Sequence, residues 1–242
     1  MKFAPYQDYY IEQIAAYTIQ AGEILVNEVG KTDPKYHRLF LPKGPDLYTG
    51  PLKAAGYLLL NPDIEHIILI HKQSKYPDEI TMFEESEGII ALGKLFSVVP
   101  LSISHTRKTT KVDTEVSMQL NFLTMIKNIS QLTILGIGVD MNLADIAQEI
   151  KKVAKSKKIG TIYYDTCADQ IERVQARTID EQAMRQILKR KTTDTIGLSC
   201  RLANMFVQTL PQKSEPELLG YVNTGDFGGD QKKTTSYASL IG

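Results

Sequence analysis

The chain has 242 residues, a length that fits one large α/β domain or two small ones, and we expect one domain over residues 1–242. Its 28 basic and 28 acidic residues balance, so we expect neither nucleic acid nor a membrane as partner. No apolar run approaches the roughly 18 residues of a membrane helix, and the N-terminus lacks a signal-peptide core. With only two cysteines, the composition predicts a cytoplasmic protein with reduced thiols.

The first predicted element is an amphipathic helix from Asp8 to Val29. Asp8 can cap its N-terminus and Gly30 can end it. The side chains that recur at helical spacing are Ile11, Ile14, Thr18, Ala21 and Leu25. This pattern is typical of a helix that packs one face against a core.

Strands and helices then alternate. Residues 37–42 predict a short strand, and a loop over residues 43–50 leads into a helix through Leu60. The apolar run from His66 to His71 predicts a central strand that is buried on both faces, with histidines that are solvent-exposed or locally hydrogen-bonded. Residues 89–101 predict two short strands around Gly93. The basic run over residues 107–111 has no interleaved aromatic residue and predicts a solvated loop.

The second half of the chain continues the alternation. Residues 113–123 predict a helix, and residues 132–139 predict a strand that is followed by a helix with Asn142 as its cap. Residues 159–165 predict the next strand, and Asp180 is expected to open a helix over residues 181–189. A further strand is expected to end at Tyr221.

These elements predict an α/β fold, a mixed and largely parallel sheet with helices on both faces. In such sheets ligands bind at the carboxyl ends of the strands. Four polar residues follow predicted strands or begin helices, so we expect them to lie together at that edge: Lys43, Ser74, Asp165 and Ser199.

The C-terminal run Tyr221-Val-Asn-Thr-Gly-Asp-Phe-Gly-Gly-Asp230 is followed by Ser236-Tyr-Ala-Ser239. This order resembles the terminal signature of the Memo family, which includes protein B of the AmmeMemoRadiSam system. Residues 42–57 resemble the family's Pro-His-Ala-Gly-Tyr-x-Tyr-Ser-Gly-Pro segment, and residues 113–123 resemble its Glu-His-Ser-x-Glu-x-Gln-Leu-Pro-Phe-Leu segment. The resemblance implies a Memo-like fold, similar to that of class III extradiol dioxygenases.

The family resemblance also implies a metal pocket built from two histidines and a cysteine. This chain has Lys43, Ser74 and Ser199 at those positions. An ammonium group and two hydroxyls do not provide the imidazole and thiolate donors that copper, iron or zinc prefers. We therefore expect a degenerate site with no transition-metal cofactor, unless a local register shift brings His71 or Cys200 into it.

The leading hypothesis is a non-catalytic, Memo-like protein that binds a small anionic ligand, a peptide or a protein partner. The candidate ligand-binding residues are Lys43, Tyr48, Asp165 and Asp226. Lys43 suits a carboxylate or a phosphate. A pairing of Lys43 with Asp165 would instead make both residues a structural salt bridge.

Two alternatives remain open. In the first, an enzyme uses Lys43 to activate Ser74 or Ser199 as a nucleophile while Asp165 orients the site. No Gly-x-Ser-x-Gly motif accompanies these serines. The second alternative keeps the metal-dependent redox or dioxygenase-like chemistry of the wider fold.

Overall fold

The computed structural model describes residues 2–3, 7–30, 33–191 and 201–242. Within these ranges eleven strands form one sheet. The strands are β1 (Lys2–Phe3), β2 (Arg38–Pro42), β3 (His66–Gln73), β4 (Ile80–Phe83), β5 (Ile89–Ala91), β6 (Lys94–Val98), β7 (Thr106–Thr109), β8 (Gln131–Gly138), β9 (Ile159–Asp165), β10 (Glu217–Asn223) and β11 (Ser236–Ile241).

Helices connect most of these strands. They are α1 (Gln7–Ile24), α2 (Asp46–Leu58), α3 (Thr114–Leu123), α4 (Leu143–Val153), α5 (Arg173–Leu188) and α6 (Arg201–Thr209). A π-helical turn, Leu25–Val29, extends α1, and a short 3₁₀ helix, Thr224–Phe227, separates β10 from β11. No helix within the described ranges has both the length and the hydrophobicity of a membrane span.

Four parallel strands form the centre of the sheet, in the order β8-β3-β9-β2. Beyond β2, the strands β11 and β10 are added antiparallel. On the other side, β6 runs parallel to the start of β8 while β4 runs antiparallel to its end. The mixed, largely parallel sheet that the sequence predicts is confirmed.

Both faces of the central strands are covered by helices. In β3, Ile67 and Leu69 pack in one apolar core with residues of α1, α2 and α3. Ile68 and Ile70, which alternate with them, pack in a second core with residues of α4, α5 and α6. A strand that is buried on both faces needs apolar side chains at successive positions, which is why this strand is a continuous apolar run.

Helix α1 buries only part of the predicted stripe. Ile14, Ala21 and Leu25 are buried, and at 100° per residue they fall within about 40° of one another around the axis. Ile11 lies outside this sector and is 57% exposed, contrary to the expectation that it belongs to the packed face. Gly30 adopts a φ of 65°, and its N–H donates to the Leu25 carbonyl, so the helix ends where the sequence predicts.

Two other local expectations need correction. Helix α5 begins at Arg173 rather than at Asp180, and its buried positions begin earlier in the chain as well, at Ala176. Part of the predicted basic loop is a strand, β7, which pairs with β4. Of the two alternatives expected for His66 and His71, hydrogen bonding applies, since each keeps only 7% of its surface accessible and bonds to a neighbour, His71 to Lys72 and His66 to Thr133.

Asp180 is buried in the middle of α5 and joins three parts of the fold. Its carboxyl group accepts hydrogen bonds from the Tyr221 hydroxyl at 2.7 Å, from the Ala168 N–H at 3.3 Å and from the Ser236 hydroxyl. Burial raises the pKa of Asp180, and these donors act in the opposite direction. The carboxyl group thus fixes α5 against β10, β11 and the segment after β9.

We expect Asp180→Ala to lower the free energy of unfolding by about 2 to 4 kcal/mol, because each lost hydrogen bond contributes about 1 kcal/mol and buried polar partners lose their acceptor. Denaturant unfolding monitored by circular dichroism measures this change. The control is Glu181→Ala, which removes an exposed ion pair with Arg185 on the same helix. This control should change stability by less than about 0.5 kcal/mol, and equal losses in both variants would contradict the role of Asp180.

Candidate functional site

The candidate site lies at the carboxyl edge of the parallel strands. The last residue pair between β2 and β9 joins Pro42 to Asp165, so Lys43 leaves the sheet next to the end of β9. On the other side of β9, Lys72 near the end of β3 reaches Asp165. Lys43, Lys72 and Asp165 therefore come together because three adjacent strands run in the same direction and end at the same edge.

Asp165 is fully buried at the centre of this edge. One carboxyl oxygen lies 3.2 Å from the Lys72 ammonium and accepts the Thr166 N–H at 2.8 Å, while the other accepts the Leu202 N–H at 3.2 Å. Burial raises the pKa of Asp165, and Lys72 with the two N–H donors opposes this rise. The Asp165 carboxyl group holds Lys72 in place and accepts a hydrogen bond from an N–H in the first turn of α6, where main-chain N–H groups have no partner within the helix.

Lys43 takes a different acidic partner. Its ammonium lies 3.1 Å from the Asp113 carboxylate and donates to the Lys72 carbonyl at 3.2 Å. Its main-chain N–H donates to the Asp165 carbonyl oxygen at 2.7 Å, and within the described residues its ammonium forms no ion pair with the Asp165 carboxyl group. The pairing of the Lys43 and Asp165 side chains considered from sequence is therefore not formed.

The loop that carries Lys43 is supported from within the protein by Lys53. This lysine is fully buried, and its ammonium donates to the Gly44 carbonyl at 2.7 Å and to the Asp46 carboxylate at 2.5 Å. Gly44 also packs closely on the Tyr237 ring, since a Cβ at this position would lie 2.3 Å from a ring carbon. The main chain beside Lys43 is thereby fixed by a charged hydrogen bond and by close packing.

A cleft of about 640 Å³ lies at this edge of the sheet, and Lys43 and Lys72 are part of its lining. Its walls come from the ends of β3 and β8, from β4 and β7, and from residues 110–113 before α3. The acidic side chains that line it are Glu84 and Asp113. The basic side chains that line it are Lys43, Lys72, Lys75, Arg107, Lys108 and Lys111. The volume is within the range of small-molecule sites in proteins.

Tyr76 orders two of these cations at the wall of the cleft. The Arg107 guanidinium lies 4.4 Å from the centre of the Tyr76 ring, and the Lys75 ammonium lies 5.2 Å from it. Arg107 also pairs with Glu79 at 3.2 Å. Cation–π contacts restrict both side chains without neutralising their charge.

His71 is a buried, uncharged member of the cleft lining. Its Nδ1–H donates to the Lys72 carbonyl at 3.2 Å, because a carbonyl oxygen only accepts, and this leaves Nε2 as the unprotonated nitrogen of the neutral ring. Burial, with Lys43 as a further cause, lowers the pKa of His71 from 6.5 to about 4. The ring is therefore neutral near pH 7 and adds no charge to the cleft.

The other sequence-derived candidates do not all join this cleft. Ser74 lines it and is exposed, and within the described residues its hydroxyl makes no hydrogen bond. Ser199 and Cys200 fall outside the described residues. Lys43, Ser74 and Asp165 thus share one edge of the sheet, as expected, although the Lys43 ammonium is directed to Asp113.

Tyr48 and Asp226 lie together at a separate surface and do not line the cleft. The Tyr48 ring packs against Phe227, with the ring centres 5.3 Å apart. Asp226 accepts hydrogen bonds from Arg173, from Arg177 at 2.7 Å and from the Asn223 N–H at 3.2 Å. In this structure Asp226 stabilises the glycine-rich loop through these contacts.

In the ranges that the structure describes, this edge of the sheet offers few of the ligands that transition metals prefer. Among the described residues, no three His, Cys, Asp or Glu side chains are grouped in a way that could hold an ion. Within the described part of the cleft lining, His71 is the single imidazole. Lys43 and Ser74 add an ammonium and a hydroxyl, which are poor ligands for copper, iron or zinc.

Sequence reasoning did not identify Lys72 as the partner of Asp165, Asp113 as the partner of Lys43, or Tyr76 as the residue that orders two cations. A signal existed for Lys72, because it stands at the end of an apolar strand, where ligand-contacting residues occur in parallel sheets. The basic run over residues 107–111 was visible as well, but nothing local indicated that it faces Lys43.

The fold and the cleft define an α/β protein with a basic, ligand-sized site at the carboxyl edge of its parallel strands. The chain is structurally similar to the uncharacterized protein JW3007 from Escherichia coli K12, with a TM-score of 0.53 and 8% sequence identity over 85% of this chain and 99% of that chain. At this identity the similarity concerns the fold alone. No protein-family model and no curated protein sequence matches the chain.

The neutral state of His71 predicts a pH dependence of stability. The unfolded chain binds a proton at this imidazole near pH 6.5 and the folded chain only near pH 4. Neutral His71 therefore contributes up to about 3 kcal/mol to the free energy of unfolding above pH 6.5, and this contribution is lost as the pH falls to 4. Denaturant unfolding between pH 4 and 7 should show a shallower decline for His71→Gln than for the unsubstituted protein.

The control for this measurement is His105→Asn, which removes an exposed imidazole while suiting the positive φ of 57° at that position. This variant should keep the pH dependence of the unsubstituted protein. A decline in His71→Gln as steep as that of the control would show that His71 does not contribute.

Proposed function

We propose that this protein binds a small anionic ligand, through a phosphate or carboxylate group, in the basic cleft, and that it does so without a transition metal. The observation that carries the proposal is the concentration of positive charge in one cleft of a chain whose formal net charge is zero. Among the described residues, six basic side chains line the cleft against two acidic ones. Such a field attracts anions and raises their local concentration.

Internal ion pairs neutralise only part of this charge, and one of them joins Lys108 to Glu84 at 3.1 Å. Asp165 and Glu79 lie against Lys72 and Arg107, and with these two carboxyl groups included, the six described cations still face four described acids. Lys111 is exposed and forms no ion pair within the described residues. The acids hold several cations in fixed positions, which lowers the entropy that ligand binding must remove.

The positions of Lys43 and Lys111 in the cleft suit the binding of an anion with a compact head group. The Lys43 ammonium is held by Asp113 and by a main-chain carbonyl, so it is ordered before a ligand arrives. Lys111 lies on the same cleft lining and can move to meet the ligand. Lysine and arginine donors bind phosphate and carboxylate oxygens through charge-assisted hydrogen bonds.

We also propose that the likeness to the Memo family reflects a common fold whose pocket chemistry has changed. The sequence motifs of residues 42–57 and 221–239 support this relationship. Lysine and serine in place of histidines convert a metal-binding donor set into one that suits an anion. A peptide that presents a phosphate or carboxylate group would use the same contacts as a free anion.

The geometry gives less support to the serine-enzyme alternative. Ser74 is exposed, and the Lys43 ammonium that would activate it is engaged by Asp113. Asp165 is directed to Lys72 and to the first turn of α6. A nucleophile requires its base within hydrogen-bonding distance, and within the described residues no such contact links Ser74 to Lys43.

We expect inorganic phosphate and phosphotyrosine to bind saturably, and Lys43→Gln to weaken binding by about 10- to 100-fold, because a charge-assisted hydrogen bond contributes about 1.5 to 3 kcal/mol. Isothermal titration calorimetry at low ionic strength measures both affinities. Binding should weaken as sodium chloride is added, since salt screens the charges of the cleft.

The matched control is Lys155→Gln, which removes one positive charge from an exposed site that does not line the cleft. This variant should bind phosphate as the unsubstituted protein does. Equal affinities of the Lys43 and Lys155 variants, or no saturable binding of either anion, would refute an anion site in this cleft.

A further inference from the structure

Helix α1 and the π-helical turn that extends it present an apolar stripe to solvent on a side that the core does not use. Ile11, Ile19 and Val26 are 57%, 68% and 61% exposed. Isolated exposed apolar residues are common on protein surfaces, but three on one helix sector form a continuous patch. We refer to Ile11, Ala15, Ile19, Gly22 and Val26 together as the α1 stripe.

The spacing of the α1 stripe suits contact with another helix. At 100° per residue its four members within α1 fall within a sector of about 80°, Val26 follows in the π-helical turn, and large and small residues alternate along the stripe. A Cβ at Gly22 would meet nothing within 4 Å, so the surface is open at this position. Ridges of large residues separated by small ones are what a second helix packs against.

The α1 stripe is not required by the fold itself. The buried residues of α1, including Ile14 and Ala21, lie on a different side of the helix and belong to the core shared with α2 and α3. The exposed apolar side chains therefore have no packing role within the described residues. Their exposure costs solvation free energy that a partner could recover.

Charge beside the α1 stripe indicates what kind of partner fits. Glu12 and Glu23 are exposed and lie about 20 to 40° beyond Ile19 around the helix axis. Between residues 3 and 30 the sequence contains four acidic residues and neither lysine nor arginine. This local excess of negative charge contrasts with the zero net charge of the whole chain.

We propose that the α1 stripe is a docking surface for a basic amphipathic helix of a partner protein. Such a helix would place its apolar side chains between Ile11, Ile19 and Val26 and its lysines or arginines against Glu12 and Glu23. A second copy of α1 would bring like charges together. An anionic membrane surface would be repelled for the same reason. The proposal is independent of the anion cleft.

The test uses a labelled synthetic peptide of leucine and lysine in an amphipathic helical pattern. Controls are the same pattern with glutamate for lysine and a scrambled leucine–lysine peptide with no stripe. Fluorescence anisotropy with the full chain should show saturable binding of the patterned leucine–lysine peptide. The double variant Ile19→Gln, Val26→Gln should bind it at least tenfold more weakly.

The matched control variant is Val174→Gln, an equally exposed apolar position on α5. It should leave the affinity unchanged. Glu12→Gln with Glu23→Gln should weaken binding several-fold at low salt and much less at high salt. Circular dichroism checks that all variants keep the fold, which surface substitutions to a good helix former should not disturb.

Several outcomes would overturn the proposal. One is no binding of the patterned leucine–lysine peptide, or binding that the stripe variant leaves unchanged. Another is binding of the scrambled or glutamate peptide that depends on the α1 stripe and is as tight as binding of the patterned leucine–lysine peptide. Dimerisation in sedimentation experiments that the stripe variant abolishes would assign the surface to a second copy. Stripe-dependent binding to phosphatidylserine–phosphatidylcholine vesicles would assign it to a membrane.

Discussion

A fully buried carboxyl group at the end of a central strand must find its partners inside the protein, and Asp165 is such a group. It meets this requirement through the Lys72 ammonium, the Thr166 N–H and the Leu202 N–H. One acidic group therefore connects β3, β9 and the beginning of α6. The position of Lys72 in the cleft follows from this constraint, because a buried charge without its partner would be strongly destabilising.

The cleft combines fixed charges with a neutral imidazole. Lys43 is held by Asp113 and by a loop whose main chain is anchored on the buried Lys53. His71 stays uncharged because burial disfavours the imidazolium form and the neighbouring lysine opposes it further. Positive charge thus comes only from side chains that remain cationic near neutral pH, and a weakly acidic environment would not readily add a further charge at His71.

The structural similarity to JW3007 at 8% identity shows how far sequence can diverge within a common α/β architecture. Such sheets place strand ends and the loops that follow them at one edge, whatever side chains those loops carry. The chemistry of the edge then depends on a few positions, which in this chain include Lys43, Lys72 and Ser74. Fold similarity alone therefore assigns no activity, and the proposed anion binding depends on these side chains.

The sequence by itself determined the class of fold and most of its elements. The run from His66 to His71 predicted a central strand because a strand covered on both faces must be apolar throughout, and Asn142 predicted a helix start because its side chain caps the Ala144 N–H. It also brought Lys43, Ser74 and Asp165 to one edge. These inferences depend on local periodicity and capping, which neighbouring residues encode directly.

Only the tertiary structure decided which charges meet. Lys43 pairs with Asp113, 70 residues away in sequence, and Lys72 pairs with Asp165. The basic residues of β7 line the cleft because β4 joins β7 to the edge of β8. Local sequence patterns do not encode such pairings, since they depend on the order of strands in the sheet, which the packing of the whole chain selects.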